Sequence, residues 1–390
     1  MSPRTEKFIV GERRRTRQIH VGTVPVGGGA HIAVQSMTST PTPNIKATVA
    51  QIRRLTAAGC EIVRVAVPDE DAASAIATIK RRIAIPLIAD IHFDYRLALA
   101  AAKNGADGLR INPGNIGGRR KIKAVVECAS DLGLPIRIGV NAGSLEKDLL
   151  KTYGGATAEA MVESALRHVT LLEEENFRQI KISIKASDVP RTVQAYRLLA
   201  SRVDYPLHVG VTEAGSLYTG IVKSALGIGM LLAEGIGDTI RVSLTRDPVE
   251  EVRVGFEILK ALGLRQRGPE IVACPTCGRC GINLFKVVDK VEKALFSYTA
   301  PVKLAIMGCV VNGPGEAREA DIGVAGGKDH GILFKKGKVI RKIPQARLSE
   351  ELLAEVAAWE KERRTEVEVE ADEMQKAGGR VRRKSTPKRS

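Results

Sequence analysis

From residue 31 the chain repeats one unit: a short β-rich run, a turn, then about a dozen residues of helical periodicity. The β-rich runs are His31–Ser36, Ile62–Val67, Pro86–His92, Gly108–Asn112, Pro135–Asn141, Gln179–Lys185, Pro206–Thr212 and Thr239–Leu244. Helical stretches such as Ile45–Ala58, Tyr95–Asn104, Ala158–Glu175 and Pro248–Leu262 separate them. Strands that alternate with helices run parallel and are covered on both faces, which makes the fold class α/β. An open doubly wound sheet obeys the same order. The count of eight, with polar residues gathered toward the strand ends, favours a closed (β/α)8 barrel of the TIM type.

Ahead of the repeat, Ile19–Pro25 and Ala30–Val34 flank Val26-Gly27-Gly28-Gly29. A phosphate-binding loop would need a helix straight after the glycines; none is signalled, so residues 1–30 read as an N-terminal segment with a Gly-rich hairpin turn. The barrel is expected over 31–264. Arg265–Glu270 reads as a linker, and 271–363 as an α+β domain. That domain should hold a cysteine cluster, a helix near Leu284–Leu295, a strand at Val302–Met307, short strands around Asp321–Val324 and Gly331–Val339, and a helix near Ser349–Arg363.

A net charge of +16 raises the question of nucleic acid, yet the charge is unevenly spread. Seven of the positive charges (Lys376, Arg380, Arg382, Arg383, Lys384, Lys388 and Arg389) fall in the last fifteen residues, and Arg13, Arg14, Arg15 and Arg17 take another share. Residues 364–390 are too poor in apolar side chains to fold and read as a disordered tail, so no nucleic-acid partner is expected. With no apolar run long enough for a membrane span and no secretory signal at the N-terminus, the expected place is the cytoplasm. There the six cysteines read as thiols or metal ligands rather than disulfides.

Residues two apart on a strand share a face. That rule pairs Asp90 with His92, Arg110 with Asn112, Arg137 with Asn141, Lys181 with Lys185 and Arg241 with Ser243, all pointing into the barrel. Unpartnered cations there would cost several kcal/mol each, on the order set by charge desolvation. Asp90 and Glu213 are too few to neutralise Arg64, Arg110, Arg137, Lys185 and Arg241, so an anion is expected among them. His208, alone in its strand, reads first as a core histidine, and Cys60 and Cys128 as packing residues.

Cys274-Pro275-Thr276-Cys277-Gly278-Arg279-Cys280 carries two successive CxxC spacings, and Cys309 follows in Met307-Gly308-Cys309-Val310-Val311-Asn312-Gly313-Pro314-Gly315-Glu316. Spacing leaves structural zinc, a redox dithiol and an iron–sulfur cluster open, and favours the cluster because Cys309 has no CxxC mate.

Taken in order, Ala33–Thr38 (AVQSMT), Ala89–Phe93 (ADIHF), Arg110–Asn115 (RINPGN), Arg137–Ser144 (RIGVNAGS), Lys185–Asp188 (KASD), Val211–Gly215 (VTEAG), Arg241–Ser243 (RVS), Cys274–Cys277 (CPTC) and Cys309–Glu316 (CVVNGPGE) resemble the 4-hydroxy-3-methylbut-2-enyl diphosphate synthase family of the non-mevalonate isoprenoid pathway, in its bacterial two-domain form. The resemblance runs from about Thr16 to about Gly331. It implies a four-iron, four-sulfur cluster held by Cys274, Cys277 and Cys309, with Glu316 as fourth ligand; Cys280 departs from the family pattern. It further implies reductive ring opening and dehydration of 2-C-methyl-D-erythritol 2,4-cyclodiphosphate. The electrons would come from flavodoxin or ferredoxin. Arg110, Asn112, Arg137, Asn141, Lys185, Arg241 and Ser243 would hold the diphosphate; Arg64, Asp90, His92 and His208 complete the candidate substrate site. Glu213 would donate a proton, and the chain would act as a homodimer in which one chain's cluster domain caps the other's barrel. The rival reading is a phosphate-binding barrel with structural zinc and no redox role.

Overall fold

The structure, a computed structural model, describes residues 10–309, 313–327 and 329–363. The expected tail over 364–390 and Val310-Val311-Asn312 of the Cys309 motif lie outside the described residues. The chain divides into two compact units between Gln266 and Arg267.

In the first unit, β1 (Ile19–Val21) and β2 (Val24–Val26) form an antiparallel hairpin. Its turn is Gly22-Thr23, with Gly22 at φ +54°, and not the Gly27-Gly28-Gly29 run expected from composition. Then come β3 (Ala33–Met37), β4 (Ile62–Ala66), β5 (Leu87–Asp90), β6 (Gly108–Ile111), β7 (Ile136–Asn141), β8 (Ile180–Lys185), β9 (His208–Val209) and β10 (Thr239–Ile240). They pair in parallel in the order β8-β7-β6-β5-β4-β3-β10-β9. A parallel bridge between Ile182 and Leu207 joins β8 to the residue before β9 and closes the ring into a TIM barrel.

The helices between strands start where short polar side chains accept the first free N–H groups. Asn44 caps Ile45–Ala58, Asp69 caps Glu70–Lys80, Thr157 caps Ala158–Glu174 and Asp188 caps Val189–Ala200. Their apolar faces and the outer faces of the strands share one core that includes Ile52, Leu55, Ile76, Val125, Leu172, Leu199 and Leu259. Inside, Ile19, Val21 and Val26 of the hairpin pack with Ala33, Ile62 and Ile88 and plug the N-terminal floor. The basic run before the hairpin is structural. Arg13 pairs with Asp238 at 3.2 Å, Arg14 donates to the carbonyls of Ala200, Val203 and Tyr205, and Arg17 reaches Asp204 at 2.8 Å.

The second unit is a five-stranded sheet, β11 (Glu270–Ala273), β12 (Lys303–Met307), β13 (Ile322–Ala325), β14 (His330–Lys335) and β15 (Lys338–Pro344), in sequence order. The first three strands are parallel and the last two antiparallel. Helix Leu284–Ala294 and a helix over 348–363 bury Leu284, Val291, Leu352, Val356 and Trp359 against it. β11 was not foreseen, and Glu270, read as the end of a linker, is its first residue. Arg265 belongs with the barrel, donating to Ile32 O at 2.8 Å and to Glu61 at 2.7 and 3.1 Å. Among the described residues, no helix is long and apolar enough to cross a membrane.

Candidate functional site

At the C-terminal ends of the barrel strands, a cavity of about 230 Å³ is lined by Met37, Arg64, Asp90, His92, Arg110, Arg137, Asn141, Ser183, Lys185, Thr212, Arg241 and Ser243. Parallel register sets the cations side by side: Arg110 stands opposite Arg137, and Arg137 opposite Lys181. Two glycines make the room. A Cβ on Gly139 would stand 2.5 Å from Arg110 Nε, and one on Gly210 would stand 2.8 Å from Lys185 Nζ.

Two buried carboxylates answer part of this charge. Asp90 meets Arg64 Nε at 3.3 Å and Arg110 Nη1 at 3.0 Å. Burial works to raise its carboxyl, but Arg64, His92 and Arg110 outweigh that and hold it well below the usual carboxylate range. Glu251, from the first turn of helix Pro248–Ala261, meets Arg241 at 3.1 Å. Glu213, expected from sequence to share in the neutralisation, is exposed and makes none of these contacts; Glu251 takes that place.

Arg137, Lys181 and Lys185 have no such carboxylate partner among the described residues. Nε and Nη1 of Arg137 and Nζ of Lys181 are buried without hydrogen bonds. Burial, and then the neighbouring guanidinium groups, push Arg137 and Lys185 well below their ordinary values and bring Lys181 down to about 7. Arg64 comes down to about 10, chiefly through burial. This is the electrostatic signature of a pocket shaped for an anion.

In the second unit, Cys274 and Cys309 follow the ends of the neighbouring parallel strands β11 and β12, and Cys274 N bonds to Ile306 O at 3.2 Å. Cys277 is exposed on the first loop, and Cys274, Cys280 and Cys309 are half-buried. Glu316 is exposed in helix Gly313–Glu319. A set of thiolates with one carboxylate suits iron–sulfur chemistry. Among the described residues, no three His, Cys, Asp or Glu side chains converge on one metal position. Cys280 donates to Ile282 O at 3.3 Å, and its sulfur lies against Gly308, where a Cβ would stand 2.5 Å away.

The GcpE TIM-barrel domain model matches residues 16–256, and the GcpE protein C-terminal domain model matches 270–358. The chain belongs to the GcpE family. A 4-hydroxy-3-methylbut-2-en-1-yl diphosphate synthase (flavodoxin) of Geobacter sulfurreducens is 64% identical over 88% of this chain and 98% of its own length. The enzyme of the same name in Bacillus subtilis is 53% identical over 94% of this chain and 99% of its own. A dihydropteroate synthase structure from Stenotrophomonas maltophilia covers 63% of this chain and 99% of that one at 14% identity and a TM-score of 0.46, too distant to bear on function.

In this GcpE chain the cavity gathers Arg64, Asp90, His92, Arg110, Arg137, Asn141, Lys185, Arg241 and Ser243. It does not gather Asn112, whose side chain caps the short helix Pro113–Ile116 by accepting from Gly114 N at 3.2 Å. Nor does it gather His208, which is buried and held by Thr239 Oγ1 at 2.9 Å. Burial, and then the cations around it, push His208 well below its ordinary value. Glu213 follows Thr212 of the cavity wall at φ +49°, a left-handed backbone that a glutamate adopts only under constraint. Sequence reasoning missed Met37, Ser183, Thr212 and Glu251. The alternation rule could have found Met37 and Ser183, which share faces with Gln35 and Lys185.

Proposed function

We propose that this chain is a 4-hydroxy-3-methylbut-2-en-1-yl diphosphate synthase. In this reading 2-C-methyl-D-erythritol 2,4-cyclodiphosphate takes up two electrons and protons, opens its ring, loses water and leaves as 4-hydroxy-3-methylbut-2-enyl diphosphate. The observation that carries it is the charge balance of the barrel cavity. Arg64, Arg110, Arg137, Lys185 and Arg241 face it, and among the described residues only the carboxylates Asp90 and Glu251 form ion pairs with any of them. A diphosphate supplies the missing negative charge and accepts forked hydrogen bonds from guanidinium groups.

Each residue then has a task. Asp90 holds the Arg64 and Arg110 guanidiniums in fixed directions, while Arg137 and Lys185, lacking such partners, keep their donors for the phosphates. Asn141 and Ser243 orient the ester oxygens. Glu213, beside the cavity wall, gives a proton to the departing oxygen. Cys274, Cys277, Cys309 and Glu316 would hold a four-iron, four-sulfur cluster, which when bound supplies electrons one at a time from flavodoxin. The same reading makes the chain a cytoplasmic homodimer in which one chain's cluster domain serves the other's barrel, so mixing impaired Arg110→Ala with inactive Cys274→Ser chains should raise activity above that of either alone once subunits exchange.

Anaerobic purification tests the reading against structural zinc. A brown protein with broad absorption near roughly 400 nm, turning over the cyclodiphosphate with reduced flavodoxin, is expected. A colourless, zinc-loaded protein without turnover would replace it with the phosphate-binding barrel.

A further inference from the structure

The Arg241–Leu244 segment carries two cavity residues, Arg241 and Ser243, yet it lies beyond a strand of only two residues, Thr239–Ile240. Arg241 N bonds to Val209 O at 3.0 Å, and the next backbone tie in the segment is made to a side chain. Something other than a sheet ladder must hold these donors in place, since a displaced phosphate ligand costs binding.

Glu251 is positioned to do so. It is 3% exposed and reaches back from the helix that follows. Its Oε1 accepts from Arg241 Nη2 at 3.1 Å and from Leu244 N at 3.2 Å; its Oε2 accepts from Arg241 Nε at 3.2 Å and from Ser36 Oγ at 2.9 Å. One carboxylate thus pins both ends of the segment and anchors it to β3. Four donors meet two oxygens, a demand that a carboxylate satisfies and an amide, with one oxygen and one NH2, does not. The forked contact occupies Nε and one side of the Arg241 fork, leaving Nη1 turned toward Met37 Sδ, 3.9 Å away in the cavity wall.

We propose that Glu251 is a positioning residue for diphosphate recognition, acting through the Arg241 guanidinium that it clamps. The inference rests on the diphosphate reading of the cavity. Glu251 touches no substrate in this arrangement; it sets the angle from which Arg241 does.

The test is a double-mutant cycle on the anaerobically prepared holoenzyme, with inorganic pyrophosphate titrated by calorimetry and KM and kcat measured for the cyclodiphosphate. Glu251→Gln should weaken pyrophosphate and raise KM about tenfold, the scale of one charge-assisted hydrogen bond, with kcat kept within about twofold. In an Arg241→Ala background the same substitution should add nothing, because the group it orients is gone. Equal weakening in both backgrounds, or none in the wild-type background, overturns the proposal in favour of a purely structural carboxylate. Arg110→Ala is the control. If it and Arg241→Ala both leave pyrophosphate binding intact, the diphosphate reading itself has failed and takes the inference with it. Should Glu251→Gln not fold, Ser36→Ala frees one tether of the same carboxylate and is read through the same cycle, with a smaller loss expected.

Discussion

Arg137 and Lys185 stand within β7 and β8, held in register along a continuous parallel ladder, whereas Cys277 stands exposed on a loop past the end of β11. The barrel brings Arg137 and Lys185 close to the other cations through its backbone ladder, and it keeps them there against their mutual repulsion. The second unit sets its thiols on loops past the ends of neighbouring strands, without drawing three donors to one point among the described residues. A site built on strands is rigid before its ligand arrives. One built on loops takes part of its order from what it binds, which couples ligand binding to local folding.

The sharpest way to break that comparison is Cys274→Ser. Iron content and turnover should both disappear, while pyrophosphate binding to the barrel stays within about twofold. Iron retained at full level would mean that Cys274 is no ligand. Next in size, Arg110→Ala should weaken substrate by about 1.5–3 kcal/mol, the range for charge-assisted hydrogen bonds. Unchanged affinity by calorimetry would move the anion elsewhere.

A third test concerns the cost of the ladder-held cations. Lys181 is brought from 10.5 down to about 7 by burial and Arg137. A base whose value falls on folding leaves the folded state short of a proton, so stability is fully present above the unfolded value and is lost as pH falls from about 10.5 to about 7. Lys181→Met should therefore raise Tm, with a gain that grows as the pH is lowered across that window. A gain independent of pH would show that the ammonium carries no such penalty. The smallest effect is expected for Cys280→Ser, since that thiol packs against Gly308 and donates to Ile282 O. Loss of iron from this variant would return a ligand role to Cys280.

Much of the barrel can be read from the sequence because period-2 alternation and parallel pairing leave the same mark on residue order. Asp90, His92, Arg110, Arg137, Asn141 and Lys185 were found by that rule and all line the cavity. Glu251 escaped it because a glutamate in the first turn of a helix is what any helix start shows, and nothing local says that it bends inward to meet Arg241. Asn112 obeyed the alternation but went to a helix cap, since its oxygen can satisfy a backbone N–H next door. β11 was hidden because Glu270–Ala273 is short and abuts the cysteines that drew attention first. The hairpin turn was misplaced by one strand because three consecutive glycines outweigh one, although it is Gly22, with Thr23, that sits between the paired residues Val21 and Val24. The ligand set proposed for the second unit rests on family motifs, since loops carry no periodicity from which convergence can be inferred.

The hairpin plug has a kinetic consequence. With Ile19, Val21 and Val26 filling the floor, the barrel is closed at its N-terminal end among the described residues. Reactant and product cannot pass through in single file from one end to the other; each occupant must back out the way it came before the next can enter. On the diphosphate reading proposed above, product should therefore compete with substrate for the same barrel, and the exit of a still-charged diphosphate past Arg137 and Lys185 becomes a step that can set the pace of the cycle.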